Sequence, residues 1–143
     1  MTERLIYILA DRISGGVGIE MGMKIKVLKE TLAVCKVEDY SQVDLTGEFV
    51  FTGRTDEENS LVCPEEMVPG NASAVDRGWR GFRIEGVLDF SLIGILSKIS
   101  GILADNGIGI FAISTFNTDY ILTRSENLDK AVKALAEEGY EIF

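Results

Sequence analysis

Ile110-Phe-Ala-Ile-Ser-Thr-Phe-Asn-Thr-Asp-Tyr-Ile-Leu122 is an apolar run that turns polar from Ser114 to Asp119 and then apolar again. Apolar stretches flanking a polar tip read as two strands and their turn, here Ile108 to Ser114 and Tyr120 to Thr123. Six successive polar or aromatic residues exceed what a two-residue hairpin needs, so the tip is a candidate for holding a ligand as well as for turning the chain.

Before this hairpin, Phe82-Arg-Ile-Glu-Gly-Val-Leu88 alternates as a strand, and Asp89 and Ser91 are both plausible helix N-caps. Leu92, Ile95, Leu96, Ile99, Ile102 and Leu103 recur at intervals of three and four, which gives one apolar face of a helix of about four turns. Asn106-Gly107 stops it, glycine being free to take the left-handed conformation past a helix end. After the hairpin, a second amphipathic helix runs from about Asn127 through Leu128, Ala131, Val132 and Leu135 to Gly139, and Tyr140-Glu-Ile-Phe143 closes as a strand. The order β-α-β-β-α-β is two split β-α-β units, a ferredoxin-like sandwich of an antiparallel sheet with two helices on one face. A unit of roughly 60 residues buries little surface, so it is expected to pack against the first half of the chain or another copy.

The first half reads as β-rich and helix-poor. Lys24 to Lys29 alternates, Leu32 to Val37 is apolar and partly β-branched, and Glu48 to Thr52 and Ser60 to Cys63 flank the polar turn Gly53 to Asn59. Ser41 to Leu45 has room for one helical turn. Pro64, Pro69 and Gly70 punctuate the chain and open a polar stretch, Asn71 to Gly78, expected as a linker. The fold class is therefore α+β with two units, 23–78 and 79–143, preceded by an extension, 1–22. In that extension Gly15, Gly16, Gly18 and Gly22 do not make a dinucleotide fingerprint, because Met21 stands where the third glycine belongs. It is expected to be flexible or partly ordered, and Met23 offers a second possible start. Thr52-Gly-Arg-Thr-Asp56 and Thr115-Phe-Asn-Thr-Asp119 share T-x-x-T-D at the expected hairpin of each half, which suggests a duplication.

Composition narrows the chemistry. The 143-residue chain is 46% hydrophobic, enough for a core, and carries 23 acidic against 14 basic residues for a net charge of −9. With no basic cluster it lacks what a nucleic acid would bind. Leu5 to Ala10 is too short an apolar run to span a membrane, so a cytoplasmic protein is expected. Cys35 and Cys63, 28 residues apart, read as reduced core thiols, neither a zinc site nor a disulfide framework. The absence of histidine removes the commonest general base, metal ligand and nucleophile partner, which leaves carboxylate or lysine chemistry for any catalysis and disfavours an enzyme, and no metal and no cofactor are expected.

In a β-α-β-β-α-β unit the loop Leu88-Asp-Phe-Ser91, the first helix's amino end and the end of the second strand share one end of the sheet. Unpaired backbone N–H groups and the positive end of the helix dipole favour a carboxylate there, and Asp89 and Asp119 would attract an ammonium group. That combination suits a zwitterion such as an amino acid. Taken singly, Asp89 or Ser91 caps a helix, Asn117 and Thr118 turn a hairpin, and Phe90 and Phe116 belong to a core.

Gly86-Val-Leu-Asp-Phe-Ser-Leu-Ile-Gly-Ile-Leu96, Leu103-Ala-Asp-Asn-Gly-Ile-Gly-Ile110 and Ile113-Ser-Thr-Phe-Asn-Thr-Asp-Tyr-Ile-Leu122 resemble the ACT domain. More narrowly they resemble the tandem-ACT subgroup related to the cytosolic arginine sensor and to aspartate kinase regulatory modules. Gly94-Ile-Leu96 stands where typical ACT domains have G-V-L, and Val62-Cys-Pro-Glu65 with Arg77-Gly-Trp79 resembles the subgroup's first half. The resemblance spans about 23 to 143 and implies a non-catalytic, allosteric regulatory module that binds an amino acid at an interface between ACT domains, and a homodimer. It implies ligand-binding roles for Asp89, Phe90, Ser91, Ser114, Thr115, Phe116, Asn117 and Asp119. The loop Asp89-Phe-Ser-Leu-Ile-Gly94 departs from the usual D-x-P-G start, being longer and without proline. Two other classes compete. One is a structural oligomerisation module with no small-molecule ligand, and the other is an acylphosphatase-like hydrolase using Arg54 or Arg83 as an anion cradle.

Overall fold

The computed structural model describes residues 23–85 and 94–143. The expected extension 1–22 and site residues Asp89, Phe90 and Ser91 lie outside the described residues. The chain divides into two compact units, one Lys29–Arg80 and the other formed by the described parts of Met1–Leu28 and Gly81–Phe143. The architecture is α+β, with mainly antiparallel strands and few helices.

Two long strands differ from the sequence reading. β1 is Lys24–Val37, one strand in place of two, because Glu30 and Thr31 are polar but do not break a strand. β4 is Ala72–Glu85, so the expected linker from Asn71 to Gly78 is instead the start of a strand. Its polar residues are there because Ser73, Ala74, Val75 and Arg77 are exposed, not because the chain is unstructured.

In the unit Lys29–Arg80, β2 (Phe51–Arg54) pairs antiparallel with β3 (Asn59–Pro64), which pairs antiparallel with β1. The strand order β2-β3-β1-β4 is that of two split β-α-β units, yet the connections are turns from Glu38 to Val50 and a 3-10 turn, Glu65–Met67. Ser41 to Leu45 forms turns, with Ser41 and Thr46 bonded to the carboxylates of Asp39 and Asp44. Those bonds spend the short polar side chains on turn closure and leave no helix to continue. Tyr40, Val43, Val50, Met67 and Val68 cover the core face of Ala33, Cys35, Val37, Leu61 and Cys63 where helices would otherwise lie.

The other unit contains β4, α1 (Ile95–Asp105), β5 (Phe111–Ser114), β6 (Asp119–Arg124), a 3-10 turn (Ser125–Asn127), α2 (Leu128–Glu137) and β7 (Glu141–Ile142). Both helices end on a glycine at positive φ, 72° at Gly107 and 97° at Gly139. The N–H two residues past each cap returns to the helix, Ile108 to the Leu103 carbonyl at 2.9 Å and Tyr140 to that of Leu135 at 3.2 Å. Ile95, Ile99 and Leu103 of α1 and Ala131 and Leu135 of α2 share a core with Ile25, Phe82, Ile84 and Ile121, so both helices cover one face of the strands. The strand order is β7-β1-β4-β6-β5, with β7 parallel to β1. The first residues of β1 thus stand between β7 and β4, the two strands that a plain ferredoxin-like unit pairs directly.

The two hairpins repeat each other. Phe51↔Val62, Thr52↔Leu61, Gly53↔Ser60 and Arg54↔Asn59 match Phe111↔Leu122, Ala112↔Ile121, Ile113↔Tyr120 and Ser114↔Asp119 at a constant offset of 60 residues. A 3-10 turn follows each at the same offset, Glu65–Met67 and Ser125–Asn127. In this register the partner of Thr115 is Thr55, so the T-x-x-T-D match lies three residues out of step.

Candidate functional site

The hairpin from the opening stretch is closed by the pair Ser114↔Asp119 and turned by the four residues between them. Thr115 makes the turn: its N–H donates to the Thr118 carbonyl at 2.9 Å, and its hydroxyl donates to the same oxygen at 2.9 Å. Thr55 does the same in the first unit, its N–H donating to the Glu58 carbonyl at 2.9 Å. Turn closure therefore accounts for Thr115 and Thr118 without a ligand. Ser114 and Asp119 are a different case.

Ile121 faces the helices, so Asp119, two residues earlier, and Ser114 opposite it point to the same face. Ser114 Oγ donates to Asp119 Oδ1 at 2.5 Å, which fixes one carboxylate oxygen. Thr118 Oγ1 donates to the Ile84 carbonyl at 2.7 Å and ties the hairpin to the last residues of β4. The chain leaving β4 there leads to Gly94 and the start of α1. Sequence reading placed the helix start near Asp89 or Ser91, but α1 begins at Ile95 after Gly94, which takes φ 90°. Among the described residues no side chain caps this end, and the first turn holds no acid. Its N–H groups and the positive end of the dipole suit an anion.

Phe116 and Asn117 sit at the exposed tip, Phe116 at 99% exposure, so among the described residues Phe116 walls nothing. In the first unit the position of Asp119 is held by Asn59, whose amide donates to the Glu38 carbonyl at 2.8 Å. The hairpin of the Lys29–Arg80 unit thus carries an amide spent on the fold where the other hairpin carries a carboxylate.

On the opposite face Arg83 binds Glu85 Oε1 at 2.7 and 3.1 Å and lies 5.9 Å from the Tyr120 ring centroid. The Tyr120 hydroxyl, then the Glu85 carboxylate, hold the guanidinium above its ordinary range. This partly buried cluster escaped the sequence reading. The i, i+2 spacing of Arg83 and Glu85 on a strand was the signal for it. An arginine so committed is a poor anion cradle. Among the described residues no three His, Cys, Asp or Glu side chains gather to hold a metal, and no described helix is long and apolar enough to cross a membrane.

Residues 74–137 match the family described as ACT domain. Protein Atu0741 from Agobacterium tumefaciens is similar at 34% identity over 85% of this chain and 92% of that one, with a TM-score of 0.76. VC0802 from Vibrio cholerae, titled a protein of unknown function and possible transport protein, is 22% identical over 82% of this chain and 91% of that one, with a TM-score of 0.66. The ligand-free regulatory subunit of aspartate kinase from Thermus thermophilus shares the fold at a TM-score of 0.60 and 9% identity, over 84% of this chain and 99% of that one. No curated protein matches the sequence.

Proposed function

Because the chain belongs to the ACT-domain family, we propose that it is a non-catalytic regulatory module that binds an amino acid at an interface between ACT domains. In this reading 23–78 and 79–143 are two ACT units in tandem, the first having lost its helices. The repeat of both hairpins in one register supports that descent. One observation carries the binding assignment: Ser114 fixes the Asp119 carboxylate on the helix-bearing face, and Thr118 anchors that hairpin to the strand leading to α1.

In the proposed site the amino end of α1 takes the ligand carboxylate, with Asp89, Phe90 and Ser91, which precede it in sequence, contributing. Asp119 or Asp89 takes the ammonium group. Ser114, Thr115 and Asn117 line the turn. Phe116 is exposed, so as a pocket wall it acts with a second copy, which favours a homodimer. The amide at Asn59 supports one site per chain. Titration of the isotope-labelled protein with single amino acids tests the assignment. Amide shifts should concentrate at 94–98 and 114–119 for the true ligand, whereas shifts confined to the Lys29–Arg80 unit would overturn it.

The exposed Phe116 beside the edge strand β5 also favours the second reading, an oligomerisation module without a small ligand. That reading requires a stable oligomer indifferent to every amino acid. The proposed setting for either is the cytoplasm, with no nucleic acid, membrane or cofactor as partner.

A further inference from the structure

Asn106 is the one asparagine of the sequence that glycine follows, and it caps the carboxyl end of α1, away from the end proposed for the ligand. It is exposed, so water reaches its side chain. Asparagine is chemically labile, and a following glycine, having no Cβ, leaves the next main-chain nitrogen unhindered for attack on the side-chain amide. The same two residues close the helix. Asn106 Nδ2 donates to the Ile102 carbonyl at 2.8 Å, and the Gly107 N–H donates to that of Ala104 at 2.9 Å.

This closure is incompatible with the reaction. For the Gly107 nitrogen to meet Asn106 Cγ, rotation about ψ has to bring that nitrogen round to Cβ. Asn106 instead holds φ −98° and ψ 10°, which sets the Gly107 nitrogen nearly in line with the Asn106 nitrogen and away from Cβ. The proton that Gly107 must lose is held in its bond to Ala104, and the Ile102 bond holds the amide back along the helix. We propose that Asn106–Gly107 is a deamidation site that the cap of α1 keeps shut and that reacts when the last turn of the helix opens.

Once the turn is open, the Gly107 nitrogen attacks Asn106 Cγ. The N–Cγ bond forms, the Cγ–Nδ2 bond breaks, and Nδ2 leaves as ammonia with the proton that Gly107 gives up. Water then adds to either carbonyl of the succinimide ring and opens it to aspartate or isoaspartate, so water is the sole co-reactant. The new carboxylate lies beside Asp105 at the negative end of the helix dipole and has no N–H for the Ile102 carbonyl. The isoaspartyl form also adds a methylene to the main chain, which displaces the Gly107 and Ile108 N–H groups from the carbonyls of Ala104 and Leu103. A turn that has reacted therefore does not reclose as before.

The test incubates the full chain at mildly alkaline pH, folded and in guanidinium chloride, and follows each asparagine by peptide mass mapping with enzymatic detection of isoaspartate. In denaturant Asn106 should convert first, and in the folded chain it should convert more than about tenfold more slowly, because only the open fraction reacts. Equal rates in the two states, or another asparagine converting first in denaturant, would overturn the proposal. Ile108→Ala keeps the Asn-Gly pair and trims the buried side chain that packs beside the cap, so conversion of the folded chain should speed up. An unchanged rate would overturn the gating by the cap. The comparison on the native sequence decides the guard even if the variant fails to fold.

Discussion

Ser114 Oγ donates a 2.5 Å hydrogen bond to Asp119 Oδ1 across the last pair of the β5–β6 ladder. The bond occupies one oxygen of the carboxylate, and in the proposed site the charge serves a ligand ammonium. Asp119→Asn keeps an oxygen for Ser114 and removes the charge. A hydrogen bond to a charged group is worth about 1.5–3 kcal/mol, so amino acid affinity should fall by about tenfold to a hundredfold. Stability should change by less than about 1 kcal/mol. Calorimetric titration beside urea melts measures both, and unchanged affinity removes Asp119 from the site.

Thr118→Val tests the anchoring of the hairpin. It deletes the 2.7 Å bond to the Ile84 carbonyl and leaves the turn bonds of Thr115 in place. The expected cost is about 0.5–1.5 kcal/mol in urea unfolding, with faster hydrogen exchange at 115–118. Unaltered exchange would show that the hairpin is held by its ladder alone.

The second unit was legible because its signals are periodic. Ile95, Ile99 and Leu103 recur at helical spacing and are buried, and the glycine stops at Gly107 and Gly139 fell where the helices end. The first unit was harder because its helix positions are filled by turns, whose geometry rests on side-chain bonds such as those of Asp39 and Asp44, not on a repeat. β4 was misread at its start because an exposed strand and a polar linker have the same composition, and only pairing tells them apart. The likeness of the two hairpins was visible, but three residues out of register. A T-x-x-T-D match weighs letters, while the ladder aligns Thr55 with Thr115 by the turn that each one closes. At the site, Ser114 and Asp119 were found together. The wall role given to Phe116 has no counterpart among the described residues, since exposure of a side chain cannot be read from its type.

Leu103→Ala should be among the costliest single changes. Leu103 is fully buried between α1 and the strands, and its carbonyl also accepts the Ile108 N–H that closes the helix end. Removing its side chain leaves a cavity that costs about 2–5 kcal/mol. Denaturant unfolding checks this, and a loss below about 1 kcal/mol would mean that the core collapses around the site.

Acid should weaken the unit Lys29–Arg80 partly through Asp39. The Ser41 hydroxyl, then the Ser41 N–H, hold this carboxyl below its usual range, with a smaller contribution from the Asn71 amide. A carboxyl with a folded pKa below its unfolded one stabilises the fold above the unfolded value, and that stability is lost as pH falls through the folded value. Urea midpoints from neutral to acid pH should therefore fall less steeply for Asp39→Asn than for the native sequence. Parallel curves would contradict this.

The central claim is a regulatory module that binds an amino acid. Thermal melting of the protein against each of the twenty amino acids tests it most directly, since a ligand at a hundred times its dissociation constant adds about 2.7 kcal/mol to stability. The account predicts a rise of several degrees with one or two of them, cut to about half or less by Asp119→Asn. A melting temperature that no amino acid moves would contradict it and leave the hairpin from Ser114 to Asp119 a turn.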